Sequence, residues 1–168
     1  MKIKIAGLSN DIHHLNFSGR TEELELGDPF RNNYELKVRL DKSIHQLILD
    51  AELKVDAALM CDRCGAEFIS ERKIKFEMVY LFGVEHDETE EGSNVSYLPV
   101  DADKINISSE LYDYSHLELP MKVLCNDDCK GLCLSCGKNL NEGECGCKSD
   151  KIDDRWLPLL DLKNKIDK

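Results

Sequence analysis

The sequence lacks the motifs that mark nucleotide-binding and hydrolytic enzymes. No GxxxxGK[ST], GxGxxG or GxSxG segment occurs in its 168 residues, and such segments build phosphate-binding loops and nucleophile turns. The histidines are scattered and lie near no cysteine motif; they are His13, His14, His45, His86 and His116. We therefore predict a protein that is not an enzyme, with no catalytic residue and no small-molecule substrate.

Long apolar runs are missing as well. No stretch approaches the roughly 18 apolar residues of a transmembrane helix, and the first residues show no apolar signal-peptide core. We therefore expect a cytoplasmic protein without membrane contacts. In such a reducing compartment structural disulfides are rare, so abundant cysteines call for another explanation.

The composition indicates a folded but strongly acidic protein. Apolar residues make up 42% and charged residues 33% of the chain, and the formal net charge is −11. Eight thiolates and two Zn²⁺ would add −4, which brings the net charge to about −15. An overall negative field gives no affinity for nucleic-acid phosphates and can favour basic proteins as partners. The simpler interpretation is that this charge serves only solubility.

Alternating apolar and polar residues predict β-strands. Residues 34–40 and 47–59 alternate with a period of two, and residues 68–82 carry apolar side chains on one face. The second and third of these strands are joined by five residues that include Gly65, which predicts a β-hairpin. Residues 95–98 suggest a short strand, and Ser108 or Ser109 could cap a short helix that Pro120 ends.

These elements predict an α+β fold, an antiparallel β-sheet or partly open barrel with few short helices and a C-terminal zinc-binding segment. We expect a β-rich domain at residues 1–120, containing the hairpin and the short helix, and a cysteine-rich segment at 121–168. The first 33 residues look mixed, with one short strand at residues 3–5, and residues 83–94 form an acidic loop. The tail predicts a short amphipathic helix carrying Trp156, Leu157, Leu159, Leu160 and Leu162.

Eight cysteines in close pairs predict metal binding. The pairs are Cys61-x2-Cys64, Cys125-x3-Cys129, Cys133-x2-Cys136 and Cys145-x-Cys147. Zn²⁺ takes four tetrahedral ligands, and two cysteines two residues apart reach one ion from a tight turn. Gly65 and Gly137 follow the second cysteine of the two CxxC pairs, where a glycine lets the backbone turn back toward the sulfurs.

Eight ligands fit two structural zinc sites of four cysteines each. We pair Cys133 and Cys136 with Cys145 and Cys147 because the loop between them is short. Cys61 and Cys64 then join Cys125 and Cys129, which would tie the hairpin to the C-terminal segment. In the alternative pairing, Cys125 and Cys129 share a site with Cys133 and Cys136.

Other cysteine chemistries fit less well. A thioredoxin-like centre would place its CxxC at the start of a helix in a βαβ unit, whereas Cys61 follows one strand and precedes another. The C-x2-C-x2-C-x3-C-P run of bacterial iron–sulfur proteins is absent. A thiol oxidoreductase is therefore the least favoured alternative.

The cysteine segments also carry a family resemblance. Residues 59–65, Leu119-Pro120, residues 124–141, and Cys145-x-Cys147 followed by Asp153-Asp154-Arg155-Trp156 and a leucine-rich tail together resemble the YceD-like family. The resemblance spans nearly the whole chain and is most specific around residues 125–141. Members commonly carry Pro where Leu134 stands and Asp-Pro-Arg at 153–155, and these departures remove no cysteine.

The resemblance implies a non-enzymatic role in large ribosomal subunit biogenesis and in accumulation of its rRNA. The acidic charge favours a ribosomal protein or an assembly factor as the direct partner. The alternative is a zinc-finger protein that binds rRNA directly, through basic residues on adjacent strands: Lys37, Arg39, Lys54, Arg72, Lys73 and Lys75. A mixed, solvated sheet face is the simpler interpretation of those residues.

Overall fold

The computed structural model describes residues 1–83, 94–147 and the single residue Leu159. Most of the predicted acidic loop and, except for Leu159, the predicted C-terminal helix lie outside these residues. No helix in the described part is long and apolar enough to cross a membrane.

The described chain is built mainly from seven strands. These are β1 (Lys2–Lys4), β2 (Ile12–Arg20), β3 (Phe30–Lys42), β4 (Gln46–Met60), β5 (Glu67–Phe82), β6 (Val95–Leu98) and β7 (Lys104–Asn106). A 3-10 turn spans Thr21–Leu24 and one α-helix, α1, spans Ser108–Leu117. Strands β2 to β6 form one sheet in sequence order, and β1 pairs with β7 in a small second sheet.

The predicted fold class is confirmed, and the sheet is open. Strands β2 to β5 are antiparallel, and β6 adds in parallel to β5. Among the described residues, β2 and β6 each have only one neighbouring strand, so the sheet does not close into a barrel. The hairpin of β4 and β5 is confirmed, with an unbroken register from Gln46↔Leu81 to Met60↔Glu67.

Burial follows the period of two that the sequence shows. Alternate residues of β3, β4 and β5 are buried on one face of the sheet, including Leu36, Leu49 and Ile74. Helix α1 packs on this inner face, where Leu111 is buried and Tyr114 stacks on Phe76 at 4.9 Å between ring centroids. Each fully buried leucine or isoleucine stabilises the fold by about 1.5–3 kcal/mol, so this face holds the sheet and helix together.

Several local details differ from the expectations. Residues 12–20, expected to be mixed, form the nine-residue strand β2. Helix α1 has Ile107 as its N-cap with no side-chain cap hydrogen bond, so capping by Ser108 or Ser109 was wrong. Asn106 instead accepts a hydrogen bond from the Ser108 amide through Oδ1 at 3.3 Å, which serves one of the unpaired amides at the helix start.

Candidate metal centres

The first CxxC sits in the turn between β4 and β5. The Cys61 amide donates to the Ala66 carbonyl at 2.9 Å, and the Gly65 amide donates to the Cys61 carbonyl at 2.8 Å. Gly65 has φ +68°, a left-handed conformation that glycine adopts without the steric strain of a Cβ. The turn therefore bends tightly enough to aim both sulfurs to the same side.

The second CxxC repeats this turn. The Cys133 amide donates to the Lys138 carbonyl and the Gly137 amide to the Cys133 carbonyl, both at 2.8 Å. Gly137 has φ +71°. An isolated bridge, Leu132↔Asn139, flanks this turn as the last β4–β5 pair flanks the first. The two segments thus share one backbone design, although only the first is part of a sheet.

Four cysteines meet beside the hairpin turn and form what we call the hairpin tetrad: Cys61, Cys64, Cys125 and Cys129. Their sulfurs all lie within 4.8 Å of one another. The Cys61 and Cys129 sulfurs are 3.7 Å apart, and those of Cys64 and Cys125 are 3.6 Å apart. A disulfide would need about 2.05 Å, whereas Zn–S bonds of 2.3 Å in a tetrahedron separate the sulfurs by about 3.8 Å.

Backbone amides point at the sulfurs of the hairpin tetrad. Burial raises the pKa of Cys61, but hydrogen bonds from the amides of Cys125, Cys64 and Arg63 outweigh it and lower this pKa to about 6. The hydrogen bond that the thiol makes to Cys64, together with burial, raises the pKa of Cys125 to about 12. The fold thus stabilises the thiolate of Cys61, whereas the hydrogen bond to Cys64 and burial favour the neutral thiol of Cys125.

Contacts from the hairpin turn hold the C-terminal segment in place. The Asp62 amide donates to the Val123 carbonyl at 2.8 Å, and the Val123 amide donates to Asp62 Oδ2 at 2.6 Å. Arg63 Nη1 donates to the Cys129 carbonyl at 2.8 Å, and the Arg63 carbonyl accepts from the Leu132 amide at 3.2 Å. The residues between the first two cysteines therefore fix the position of the next two.

Asn141 is a site residue that the sequence did not reveal. Its Nδ2 donates to the Cys129 sulfur at 3.3 Å, and its Oδ1 accepts from the Lys130 amide at 2.8 Å. The hydrogen bond from Asn141 is the largest of the effects that lower the pKa of Cys129. The sequence shows only that a polar residue follows the second CxxC in a glycine- and cysteine-rich segment, and it does not indicate which atom Asn141 contacts.

The remaining four cysteines form the outer tetrad: Cys133, Cys136, Cys145 and Cys147. Their sulfurs also lie within 4.8 Å of one another. The Cys136 amide and the Cys145 thiol lower the pKa of Cys133 to about 6, while a hydrogen bond to Cys136 raises that of Cys147 to about 12. Cys136 and Cys147 are exposed, whereas Cys61, Cys64 and Cys129 of the hairpin tetrad are buried and pack near Phe68 and Leu124.

The cysteines group as the sequence predicted. Cys61 and Cys64 meet Cys125 and Cys129, while Cys133 and Cys136 meet Cys145 and Cys147, so the alternative grouping does not occur. Both tetrads could hold a metal ion, and their four-sulfur donor sets and spacing suit Zn²⁺. That these eight residues are metal ligands stays a prediction, as does the division into two domains.

The basic residues do not form a common patch. Lys37, Arg39, Lys54, Lys73 and Lys75 lie on the outer face, but Arg72 pairs with Val55 on the inner face and donates to the Glu118 carbonyl at 3.0 Å. Carboxylates alternate with the outer cations. Arg39 pairs with Asp50 at 2.7 Å and Lys75 with Glu52 at 3.4 Å. The outer face is therefore of mixed charge, as the simpler interpretation of these residues predicted, and the alternative of a six-residue basic face is wrong.

An open β-sheet with two four-cysteine clusters defines a small cysteine-rich protein that could hold two metal ions. The family model of the large ribosomal RNA subunit accumulation protein YceD matches residues 49–163. This range includes all eight cysteines and the hairpin except for the first three residues of β4. The chain therefore belongs to the YceD family, which is implicated in accumulation of large-subunit rRNA.

Individual relatives agree with this assignment. The chain is 25% identical over 157 residues to large ribosomal RNA subunit accumulation protein YCED homolog 1, chloroplastic, of Arabidopsis thaliana, covering 79% of this chain and 49% of the relative. The maize protein of the same name is 42% identical over 57 residues, covering 33% of this chain and 20% of the relative. The chain thus spans half or less of these two plant proteins.

A bacterial relative is similar over a comparable range. An uncharacterized protein of Mycobacterium tuberculosis is 25% identical over 129 residues, which cover 76% of this chain and 61% of that protein. No solved structure matches the chain.

Proposed function

We propose that this chain is a non-enzymatic zinc protein that supports biogenesis of the large ribosomal subunit and accumulation of its rRNA. In this proposal it acts by binding a ribosomal protein or an assembly factor. The observation that carries the proposal is the pair of cysteine tetrads in a chain of the YceD family. One tetrad draws its ligands from both the β-hairpin and the C-terminal segment, so a bound ion would hold the two as one surface.

Zinc would have a structural task in both sites. Residues 121–147 contribute only Cys129 and Gly131 to the buried set, so this segment cannot hold its shape through an apolar core. Structural zinc binding is worth on the order of 10 kcal/mol of folding free energy in small zinc peptides. Cys61, Cys64, Cys125 and Cys129 would hold one ion, and Cys133, Cys136, Cys145 and Cys147 the other.

Charge supports a protein partner over bare rRNA. The net charge of −11 becomes about −15 with two zinc sites, and the outer sheet face interleaves its cations with carboxylates. We therefore propose a basic ribosomal protein or an assembly factor as the direct partner. We also propose a cytoplasmic location, because all eight thiols are free of disulfides, as expected in a reducing compartment.

The experiment is depletion and complementation in cells. Depletion should lower large-subunit rRNA relative to small-subunit rRNA and reduce large-subunit particles in sedimentation profiles. A Cys61→Ser variant should fail to restore both, because it removes a buried ligand from the hairpin tetrad. Lys54→Ala, a change on the outer sheet face, should restore both. Normal profiles after depletion, or full rescue by Cys61→Ser, would refute the proposal.

A further inference from the structure

Strand β2 forms an open edge of the main sheet. Its nine residues pair with β3 in an unbroken register from Ile12↔Asp41 to Arg20↔Asn33. Within residues 1–83 and 94–147, no strand pairs with its other side. Long edge strands usually carry a lysine, a proline or a bulge that prevents pairing with another chain. Strand β2 has no lysine, proline or bulge, and its one formally charged residue, Arg20, stands at its last position.

The register shows which backbone groups face the open edge. The Lys42 amide donates to the Asp11 carbonyl at 3.2 Å, which makes these opposed residues a hydrogen-bonded pair. Hydrogen-bonded and non-bonded pairs alternate along an antiparallel ladder. The amides and carbonyls of residues 13, 15, 17 and 19 therefore face β3, and those of His14, Asn16 and Ser18 face outward.

Both ends of this edge are closed by carboxylates. The Ile12 amide donates to Asp11 Oδ1 at 2.7 Å, and the Arg20 amide donates to Glu23 Oε1 at 3.4 Å. The outward amides that remain uncapped are therefore those of His14, Asn16 and Ser18, which have no hydrogen-bond acceptor within the described residues. Successive residues of a strand rise about 3.4 Å, so a guest strand of about five to seven residues would pair with all of them.

Beside this edge, both faces of the sheet offer a surface that side chains of a guest strand could contact. On the inner face, Leu15 and Phe17 are half-buried and pack against the margin of the core. On the outer face, a groove of about 510 Å³ begins at His14 and Asn16 and includes Lys37 of the adjacent strand β3. The carboxylates of this groove lie further from the edge, on β4 and β5: Asp50, Glu52 and Glu77. Lys37 has no ion pair within residues 1–83 and 94–147, unlike the neighbouring Arg39.

We propose that the β2 edge binds an extended segment of a partner protein as a sixth strand of the sheet. Every second residue of this segment would be apolar and would cover Leu15 and Phe17. The residues between them would be polar or acidic and would enter the groove near Lys37. A second copy of β2 is a poorer occupant, because its outer-face residues include no carboxylate that could pair with Lys37.

This interaction goes beyond the proposed function, since neither metal nor rRNA takes part in it. The probe is a displayed library of random nine-residue peptides, selected on the purified, zinc-loaded full chain. Asn16→Pro removes one outward amide and leaves the bonds to β3 intact, and proline is tolerated on edge strands with the amide side facing solvent. Asn16→Ala is the matched control, because it changes the same side chain and keeps the amide.

Enriched peptides should be apolar at alternate positions and should bind wild type and Asn16→Ala equally. Binding to Asn16→Pro should be at least about fivefold weaker, from the lost hydrogen bond and the steric effect of the ring. In wild type the peptide should slow hydrogen exchange at His14, Asn16 and Ser18, a readout that does not require the proline variant to fold.

Four results would overturn the proposal. The first is that no peptide is enriched. The second is that the enriched peptides bind Asn16→Pro as tightly as they bind wild type. The third is that the wild-type chain forms a dimer that Asn16→Pro dissociates, which identifies a second copy as the occupant. The fourth is that the amides of His14, Asn16 and Ser18 are already protected in the isolated monomer, which shows that the chain covers its own edge. None of these results depends on the role in ribosome biogenesis.

Discussion

Asn141 offers a selective way to weaken one metal site without removing a cysteine. Its side-chain amide donates to the Cys129 sulfur at 3.3 Å, and metal binding would place negative charge on that sulfur. Hydrogen bonds to charged groups are worth about 1.5–3 kcal/mol. Because Asn141 is exposed, we take the low end of that range, about 1.5 kcal/mol, which corresponds to a roughly tenfold loss of affinity.

The expected order of zinc affinity at the hairpin tetrad is wild type, then Asn141→Ala, then Asn141→Asp. The alanine variant loses the donor to sulfur and the acceptor for the Lys130 amide. The aspartate variant keeps that acceptor but sets a carboxylate beside the thiolate, so repulsion adds to the lost hydrogen bond. Asn141→Ala should release zinc from this tetrad at a chelator concentration about tenfold lower than the wild type requires.

Cysteine alkylation followed by mass spectrometry resolves the two sites in this assay. Alkylation of Cys61, Cys64, Cys125 and Cys129 should begin at lower chelator concentration in the variants. The outer tetrad, Cys133, Cys136, Cys145 and Cys147, should react as in wild type and serves as the internal control. Mutation of such hydrogen-bond partners of metal ligands typically lowers metal affinity about 10- to 100-fold. If the zinc affinity of the hairpin tetrad in both variants stays within about twofold of wild type, the role assigned to Asn141 is wrong.

Three further predictions concern the two tetrads and their junction. Cys133→Ala should release one zinc and unfold the outer tetrad while the hairpin amides keep their exchange protection; simultaneous loss of both metals would contradict separate sites. Gly131→Ala should lower the free energy of unfolding, measured by denaturant unfolding, by about 1–2 kcal/mol. The reason is that Gly131 has φ +74° and that a Cβ there would lie 3.0 Å from the Arg63 carbonyl oxygen. The control is Gly146→Ala, which should change the stability little because nothing lies within 4 Å of its Cβ. After chelation, the exposed Cys136 should be alkylated faster than the buried Cys61, and equal rates would show that the hairpin tetrad opens without metal.

The sheet was predictable where burial follows a simple period. In β3, β4 and much of β5 every second residue is buried, and the sequence shows this period with only a few apolar residues, such as Ile48 and Val79, on the other face. Strand β2 shows a weaker pattern because it lies at the sheet edge, where its inner positions are only half-buried and include His13 and Gly19. The pairing of β1 with β7 joins residues about a hundred positions apart, and no local pattern encodes such a pairing.

The candidate sites were predictable from ligand chemistry and loop length. A short loop between Cys136 and Cys145 favours one local tetrad, and the other four cysteines follow by exclusion. The supporting contacts were not predictable, because Asn141, Asp62 and Arg63 act on atoms brought close only by the fold. Arg72 was misplaced for a different reason. Its charge suggested the solvated outer face, but its pairing with Val55 places it on the inner face.

The central claim is that the chain uses its cysteines to hold two structural zinc ions, one of which joins the hairpin to the C-terminal segment. Elemental analysis of the purified full chain, normalised to protein concentration, tests it most directly. The two tetrads predict close to two zinc ions per chain. One zinc per chain would contradict the two-site arrangement, and a folded, metal-free chain would contradict the claim altogether.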